Sequence, residues 1–439
     1  MGIETLTWLM FGALVILLLT GFPLAFITGG LATIFIAWLW APDALNMIPQ
    51  RMWNNMEQYL LLAIPFFIFM ASMLEKAGII EDIFDVAYKW LGRIPGSLGV
   101  ATVGASTILG AMVGVIGGTV VTMALIAIPA MLRRGYSPTL AIGTVIAGGT
   151  LGILIPPSIL AILYALVAQQ SVGQLYLGSI LPGLMLAGMY TIYVVSYAFI
   201  FPKSAPRLSL EEFPSLGERL KLLKIVWAPA ILIFLVLGTI FLGIAAPTEA
   251  AAVGAFGAIL VAGLHRRLTF KALRDALEQT AKASAMVMWI IFGASALVGF
   301  YVAMGGDTYV RDVILGTGFS PAGVLWLMMA ILIVLGMFLD WVGILFLAVP
   351  IFLPIIRELG FDPLWFGVVY LVNMQISFLS PPFGYALFYV RGVAPHLSMG
   401  TIYLAAIPFV IIQLIGLGIV IGFPEIATWL PREVLRLPR

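Results

Sequence analysis

The stretch NMQISFLSPPFG, Asn373 to Gly384, is an apolar run that carries four polar side chains and then breaks on a double proline. The same pattern stands about 225 residues earlier as GGTLGILIPPSI, Gly148 to Ile159. Each is preceded by an apolar run with an internal proline, a short charged turn and an aromatic-X-Pro start. These are IAIPAMLRRGYSP (Ile126 to Pro138) and LAVPIFLPIIRELGFDP (Leu347 to Pro363). Two adjacent prolines remove backbone donors and end a helix. At membrane depth such a break is tolerated only where it is buried in protein or lines a cavity. Broken segments at matching places in two halves point to the binding site of a secondary transporter.

Composition places the chain in a bilayer. Its 439 residues are 62% hydrophobic and 10% charged, where soluble domains carry roughly 25% charged residues. Uncharged runs at 94–132, 135–202 and 392–424 each exceed the ~20 residues that span a membrane. A net charge of +2 spread over loops suggests no nucleic-acid partner. The absence of Cys excludes disulfides and thiolate chemistry, and two His are too few for a His-based metal cluster. No GxxxxGK[ST] motif occurs, so ATP does not drive the chain directly. The start, MGIETLTWLMFGALVILLL, lacks a basic n-region and reads as a first span rather than a removed signal peptide.

Spans are expected at roughly 5–21, 23–41, 59–75, 139–168, 175–201, 226–243, 247–264, 284–304, 363–390 and 401–423. Stretches 97–132 and 321–356 read as re-entrant hairpins. The expected fold is an all-α polytopic membrane protein, with about ten spans, two hairpins and inverted repeats. Repeat one covers 55–201 and repeat two 283–424, with FIFMAS (Phe67 to Ser72) echoed by IIFGAS (Ile290 to Ser295). Outside them lie spans at 1–54, a section at 202–282 (charged loop, two spans, surface helix) and a tail at 425–439. The segments at 79–92 and 268–282 read as helices along the membrane surface that could brace a moving domain. With both termini outside, only Arg51, Arg311, Arg357, Arg432, Arg436 and Arg439 stay outside, which leaves 16 of the 22 Lys and Arg inside, Arg93 among them.

Four segments could carry the chemistry. The first tip, GAMVGVIGGT, offers Gly110, Gly114, Gly117, Gly118 and Thr119, whose backbone can approach a ligand closely; helix packing is the other reading of these glycines. The second tip, GMFLDWVG, holds Gly336, Asp340 and Gly343, and Asp340 is the one acid in the 43 residues from Val313 to Ile355. An intramembrane acid serves a cation, a proton or a partner; a helix N-cap is the alternative. The breaks contribute Thr150, Gly152, Pro156 and Ser158, and then Asn373, Gln375, Ser377, Ser380, Pro381 and Gly384. Unwinding there frees carbonyls for Na⁺ and a half-helix N-terminus for a carboxylate. Glu249, two residues past Pro247, reads as a helix cap or a subunit contact.

The segments Leu347 to Pro395, APTEAAAVGA (Ala246 to Ala255) and IPAMLRRGY (Ile128 to Tyr136) resemble the large membrane subunit of a tripartite ATP-independent periplasmic transporter. The resemblance covers essentially the whole chain. It implies Na⁺-coupled uptake of small organic acids across a bacterial inner membrane, by an elevator motion. It implies two partners, a small four-helix membrane subunit and a periplasmic substrate-binding protein, with both termini periplasmic. The chain is too short to carry the small subunit as a fusion. The family's sodium sites map onto Gly110–Thr119 with Thr150–Ser158, and onto Gly336–Gly343 with Gln375–Gly384. Val115 and Ile116 depart from a serine-rich tip. No cofactor beyond the coupling ion is implied. The competing reading is a self-sufficient Na⁺- or H⁺-coupled anion transporter. An intramembrane enzyme would need Asp340 and Glu249 as a carboxylate pair, and the expected topology places neither beside another acid or a His.

Overall fold

The computed structural model describes residues 1–91, 94–114, 116–207 and 215–435. Arg93, Val115, residues 208–214 of the charged loop and residues 436–439 of the tail lie outside the described residues. The first half holds α1 (Ile3–Leu19), α2 (Leu24–Leu39), α3 (Met47–Met56), α4 (Ala63–Lys76) and α5 (Ile79–Leu91). It continues with the pair α6 (Ser97–Val113) and α7 (Ile116–Arg133), the interrupted pair α8 (Pro138–Thr150) and α9 (Ile159–Ala168), and α10 (Val172–Ile200). The second half repeats the order with α11 (Leu216–Phe241), α12 (Pro247–Leu264), α13 (Phe270–Ala303) and α14 (Gly306–Leu315). Then come the pair α15 (Pro321–Gly336) and α16 (Trp341–Glu358), the interrupted pair α17 (Pro363–Leu379) and α18 (Tyr385–Val393), α19 (Met399–Gly422) and α20 (Glu425–Leu435). Among the described residues there is no strand, and eight helical segments are long and apolar enough to cross a membrane.

Local sequence sets these boundaries. Ser137, Ser158, Ser171, Ser320, Asp340, Asp362 and Ser398 each cap the helix that follows with a side-chain oxygen. Proline occupies the first turn of α8, α12, α15 and α17, where its missing N–H costs nothing. Glu249 is a cap: its carboxylate accepts from the Ala246 N–H at 2.8 Å. The Pro156–Pro157 and Pro381–Pro382 peptide bonds are both cis, and each sits between the two parts of an interrupted helix.

Helices of one half pack reciprocally on those of the other. α2 lies on α13 and α12 on α4; α7 meets α18 and α9 meets α16; α8 meets α19 and α10 meets α17. The correspondence takes in α1, α2, α11 and α12, which the sequence reading leaves outside its repeats. α13 also corrects the expected surface helix at 268–282. It runs unbroken through the 282/283 boundary, because no Gly or Pro interrupts 270–292. α3, α14 and α20 are short amphipathic helices in segments read from sequence as connections or tail. α5 forms as expected. Its start is tied by Arg267 to Asp82 at 2.7 Å, and its end by the Trp90 indole donating to Arg219 O at 3.3 Å.

α8 and α17 form the centre, with residues 140–150 and 364–379 buried throughout. A helix apolar all round belongs in a core. Around it the α2–α13 crossing is tight. A methyl on Gly293 would fall on Thr28 Oγ1, within 2.5 Å of Ala25 O and 3.0 Å of Gly29 N. Gly293→Ala is therefore expected to lose about 1–3 kcal/mol by overpacking. Gly188→Ala, which meets nothing within 4 Å, should lose none. Thermal unfolding in detergent checks this; equal midpoints for the two variants would refute the tight crossing.

Candidate functional site

Glycine brings each tip onto a broken helix. In the first half, a methyl on Gly110 would lie 2.9 Å from Gly152 Cα, so α6 rests directly on the backbone of the break. Gly114 closes α6 at φ +61°, and a methyl there would lie 2.6 Å from Pro157 O. Gly117 faces the Tyr389 ring, with a methyl position 3.2 Å from Cζ. Gly118 is half-buried and Thr119 fully buried on α7. In the second half, Gly336 is pressed against the Ser377 side chain, and Gly384 folds back on Phe378 O and Ser380 O. Gly343 turns the other way, onto the Leu24 side chain of α2.

Most polar side chains at the breaks are spent on backbone. Ser158 Oγ donates to Ile153 O at 2.5 Å and accepts from the Ala161 N–H. Ser380 Oγ donates to Ile376 O at 2.7 Å. Ser377 Oγ lies 3.3 Å from both Leu332 O and Asn373 O, and Asn373 Nδ2 donates to Met329 O at 3.3 Å. These bonds fasten α17 to α15 and hold the unwound segments in shape. Thr150 and Gln375 meet each other, 3.5 Å apart across the halves.

Both halves converge on one small cavity of about 50 Å³. Gly117 of the first tip, Ile159 after the first break, Asp340 and Trp341 of the second tip, and Tyr385 and Tyr389 after the second break line it. α4 and α13 close its remaining side through Ile68, Met286 and Val287. Asp340 is the N-cap of α16, its Oδ1 accepting from the Val342 N–H at 2.8 Å, and it borders the cavity as well. The volume suits an ion or a water or two, each water taking ~30 Å³. The polar side-chain atoms of this lining are a carboxylate, two phenols and an indole N–H, with no Lys or Arg. Hard oxygen donors of this kind fit Na⁺. Among the described residues no group of three His, Asp or Glu forms a metal cluster. Two larger hollows, about 580 and 380 Å³, have almost wholly apolar linings and suit no anion; a third, about 600 Å³, lies among the charged side chains of Lys76, Asp275, Glu278 and Lys282.

Tyr385 and Tyr389 are absent from the sequence reading, although their i,i+4 spacing just after the second break puts them on one helix face. Gln413 and Tyr190 are absent from it too. A Gln in the 24 apolar residues of α19 was the available signal.

Comparison with known proteins shows the family. Residues 11–426 match the family described as the tripartite ATP-independent periplasmic transporter, DctM component. The C4-dicarboxylate TRAP transporter large permease protein DctM of Pseudomonas aeruginosa is 33% identical over 405 residues, 92% of this chain and 93% of that protein. The isethionate TRAP transporter permease protein DctMQ of Oleidesulfovibrio alaskensis is 30% identical over 88% of this chain and 60% of that longer protein. Among solved structures, the YdaH transporter of Alcanivorax borkumensis shares the fold, with a TM-score of 0.64 at 17% identity over 95% of this chain and 100% of that one. These relatives are transporters rather than enzymes. The chain therefore belongs to the DctM family, as a large, multi-pass inner-membrane permease of the tripartite ATP-independent periplasmic type.

Proposed function

We propose that this permease imports small organic anions coupled to Na⁺, receiving them from a periplasmic binding protein. The cavity at Asp340 carries this reading. A carboxylate with no Lys or Arg beside it repels an anionic substrate. A cation bound between them removes the repulsion, so anion entry depends on the ion. The relatives named for C4-dicarboxylates and isethionate take anions, which makes this class the expected one. Hairpin entry of α6–α7 from the cytoplasm and of α15–α16 from outside, with both termini periplasmic, follows from the loop charges.

The cavity is too small for a C4-dicarboxylate, so the substrate enters after the tips part. The two interrupted pairs and their tips are buried against one another and supply the body that moves in an elevator step. α5, tied at both ends, suits a brace for that motion. A small four-helix membrane subunit completes the complex. The extra length and the name DctMQ of the isethionate relative fit a fusion of the two membrane parts.

Proteoliposome uptake of labelled succinate and isethionate tests the proposal, with the small subunit, binding protein and an inward Na⁺ gradient each omitted in turn. Loss of uptake on every omission is expected. Uptake by this chain alone would make it a self-sufficient transporter; uptake indifferent to Na⁺ would end the coupling claim.

A further inference from the structure

Four side chains without solvent exposure meet where the halves cross: Thr150 at the end of α8, Tyr190 on α10, Gln375 on α17 and Gln413 on α19. Gln413 Nε2 donates to Tyr190 Oη at 2.8 Å and to Thr150 Oγ1 at 3.4 Å. The single Thr150 hydroxyl proton is shared between Ala147 O at 2.8 Å and Gln375 Oε1 at 3.5 Å. Thr150 and Gln375 are equivalent positions, each six residues before the first proline of its own break. The bridge therefore links the two broken helices by their matching turns.

The bridge also has bonding capacity to spare. Gln375 Nε2 and Gln413 Oε1, one a donor and the other an acceptor, are buried without partners. A buried amide group left unpaired is costly, and in a low dielectric each bond made is strong. A second arrangement, with Gln375 Nε2 donating to Gln413 Oε1, would pair both of these groups with each other. Two discrete pairings are what a two-state coupling element requires.

We infer that this bridge couples the ion sites of the two halves: filling one break moves its helix, switches the pairing and raises the affinity of the other break for Na⁺. Gln413 and Tyr190 are positioning residues, since neither lines the cavity. The inference rests on the sodium-coupled reading above.

The test is equilibrium binding of radioactive Na⁺ to the purified full-length chain, compared with Gln413→Met and Tyr190→Phe. Wild type should bind cooperatively, with a Hill coefficient approaching ~2 for one site per half. Both variants should bind the same number of ions, with the coefficient falling toward ~1. A purely structural role would lower thermal stability without changing the coefficient. Thr150→Val combined with Gln413→Met should add little to either alone, since both cut one bridge. Cooperative wild-type binding with unchanged coefficients in the variants overturns the inference and leaves Na⁺ coupling standing, as does non-cooperative wild-type binding. No saturable Na⁺ binding in wild type removes both. Should Gln413→Met fail to fold, Tyr190→Phe, which loses one oxygen at nearly constant volume, decides the matter.

Discussion

Gly114→Ala should weaken Na⁺ activation of uptake by roughly 10- to 100-fold, at about 1.4 kcal/mol per factor of ten. Two costs combine at this residue. Its φ of +61° puts an L side chain in the left-handed region, at about 1–2 kcal/mol. The new methyl would also lie 2.6 Å from Pro157 O, a backbone atom that cannot swing aside. The loop holding that carbonyl is fixed by the Ser158 bonds to Ile153 O and Ala161 N. The tip must lift from the break instead. On the sodium-site assignment that the family resemblance implies, tip and break supply the ion's oxygen ligands together, at distances that lie within about 0.2 Å of standard values. The strain should therefore fall on ion affinity while the helices on either side stay folded. Na⁺-dependent uptake and the thermal midpoint, measured together, check this. An unchanged Na⁺ requirement would mean that the contact between tip and break has no part in ion binding.

Prolines and glycines carried most of what could be read from the chain. They act on backbone, and their effect does not wait for tertiary context. The double prolines mark both interrupted helices, and the glycine tips mark the two helix pairs that rest on them. α13 was misread because its first half carries Lys, Arg, Asp and Glu, of which Glu278 and Lys282 pair at 2.7 Å along one helix. Charge on the early turns marks where the helix leaves the apolar region; it does not mark a boundary. The cavity tyrosines and the Gln413 bridge were hidden for another reason. Their importance lies in which helix faces meet across about 225 residues, and periodicity within one helix does not carry that information. The polar residues at the breaks were legible as a cluster but not by role. Ser158, Ser377 and Ser380 bond backbone carbonyls, while Thr150 and Gln375 turn to the crossing between halves.

Asp340 has two roles that one substitution cannot separate, and a series can. As N-cap of α16 it accepts from the Val342 N–H at 2.8 Å, a function that Asn performs as well as Asp. As the acid of the cavity it supplies a negative charge, which Asn lacks. Asp340→Asn should therefore keep the thermal midpoint of wild type, while Asp340→Ala loses about 1 kcal/mol with the cap. Both should cut Na⁺-driven uptake about tenfold or more. A carboxylate–cation contact near 4 Å is worth about 4 kcal/mol at an effective dielectric of 20, and only part of it need be lost. Asp340→Glu keeps the charge but adds a methylene to a space of about 50 Å³, so its uptake should fall between the others. If Asn transports like wild type and only Ala fails, Asp340 is a cap and nothing more. The ion would then have to be held by the backbone carbonyls of the breaks alone. If Asn and Ala fail alike while differing in stability, charge and cap are separate functions of one side chain, and the anion's dependence on a cation originates at this residue.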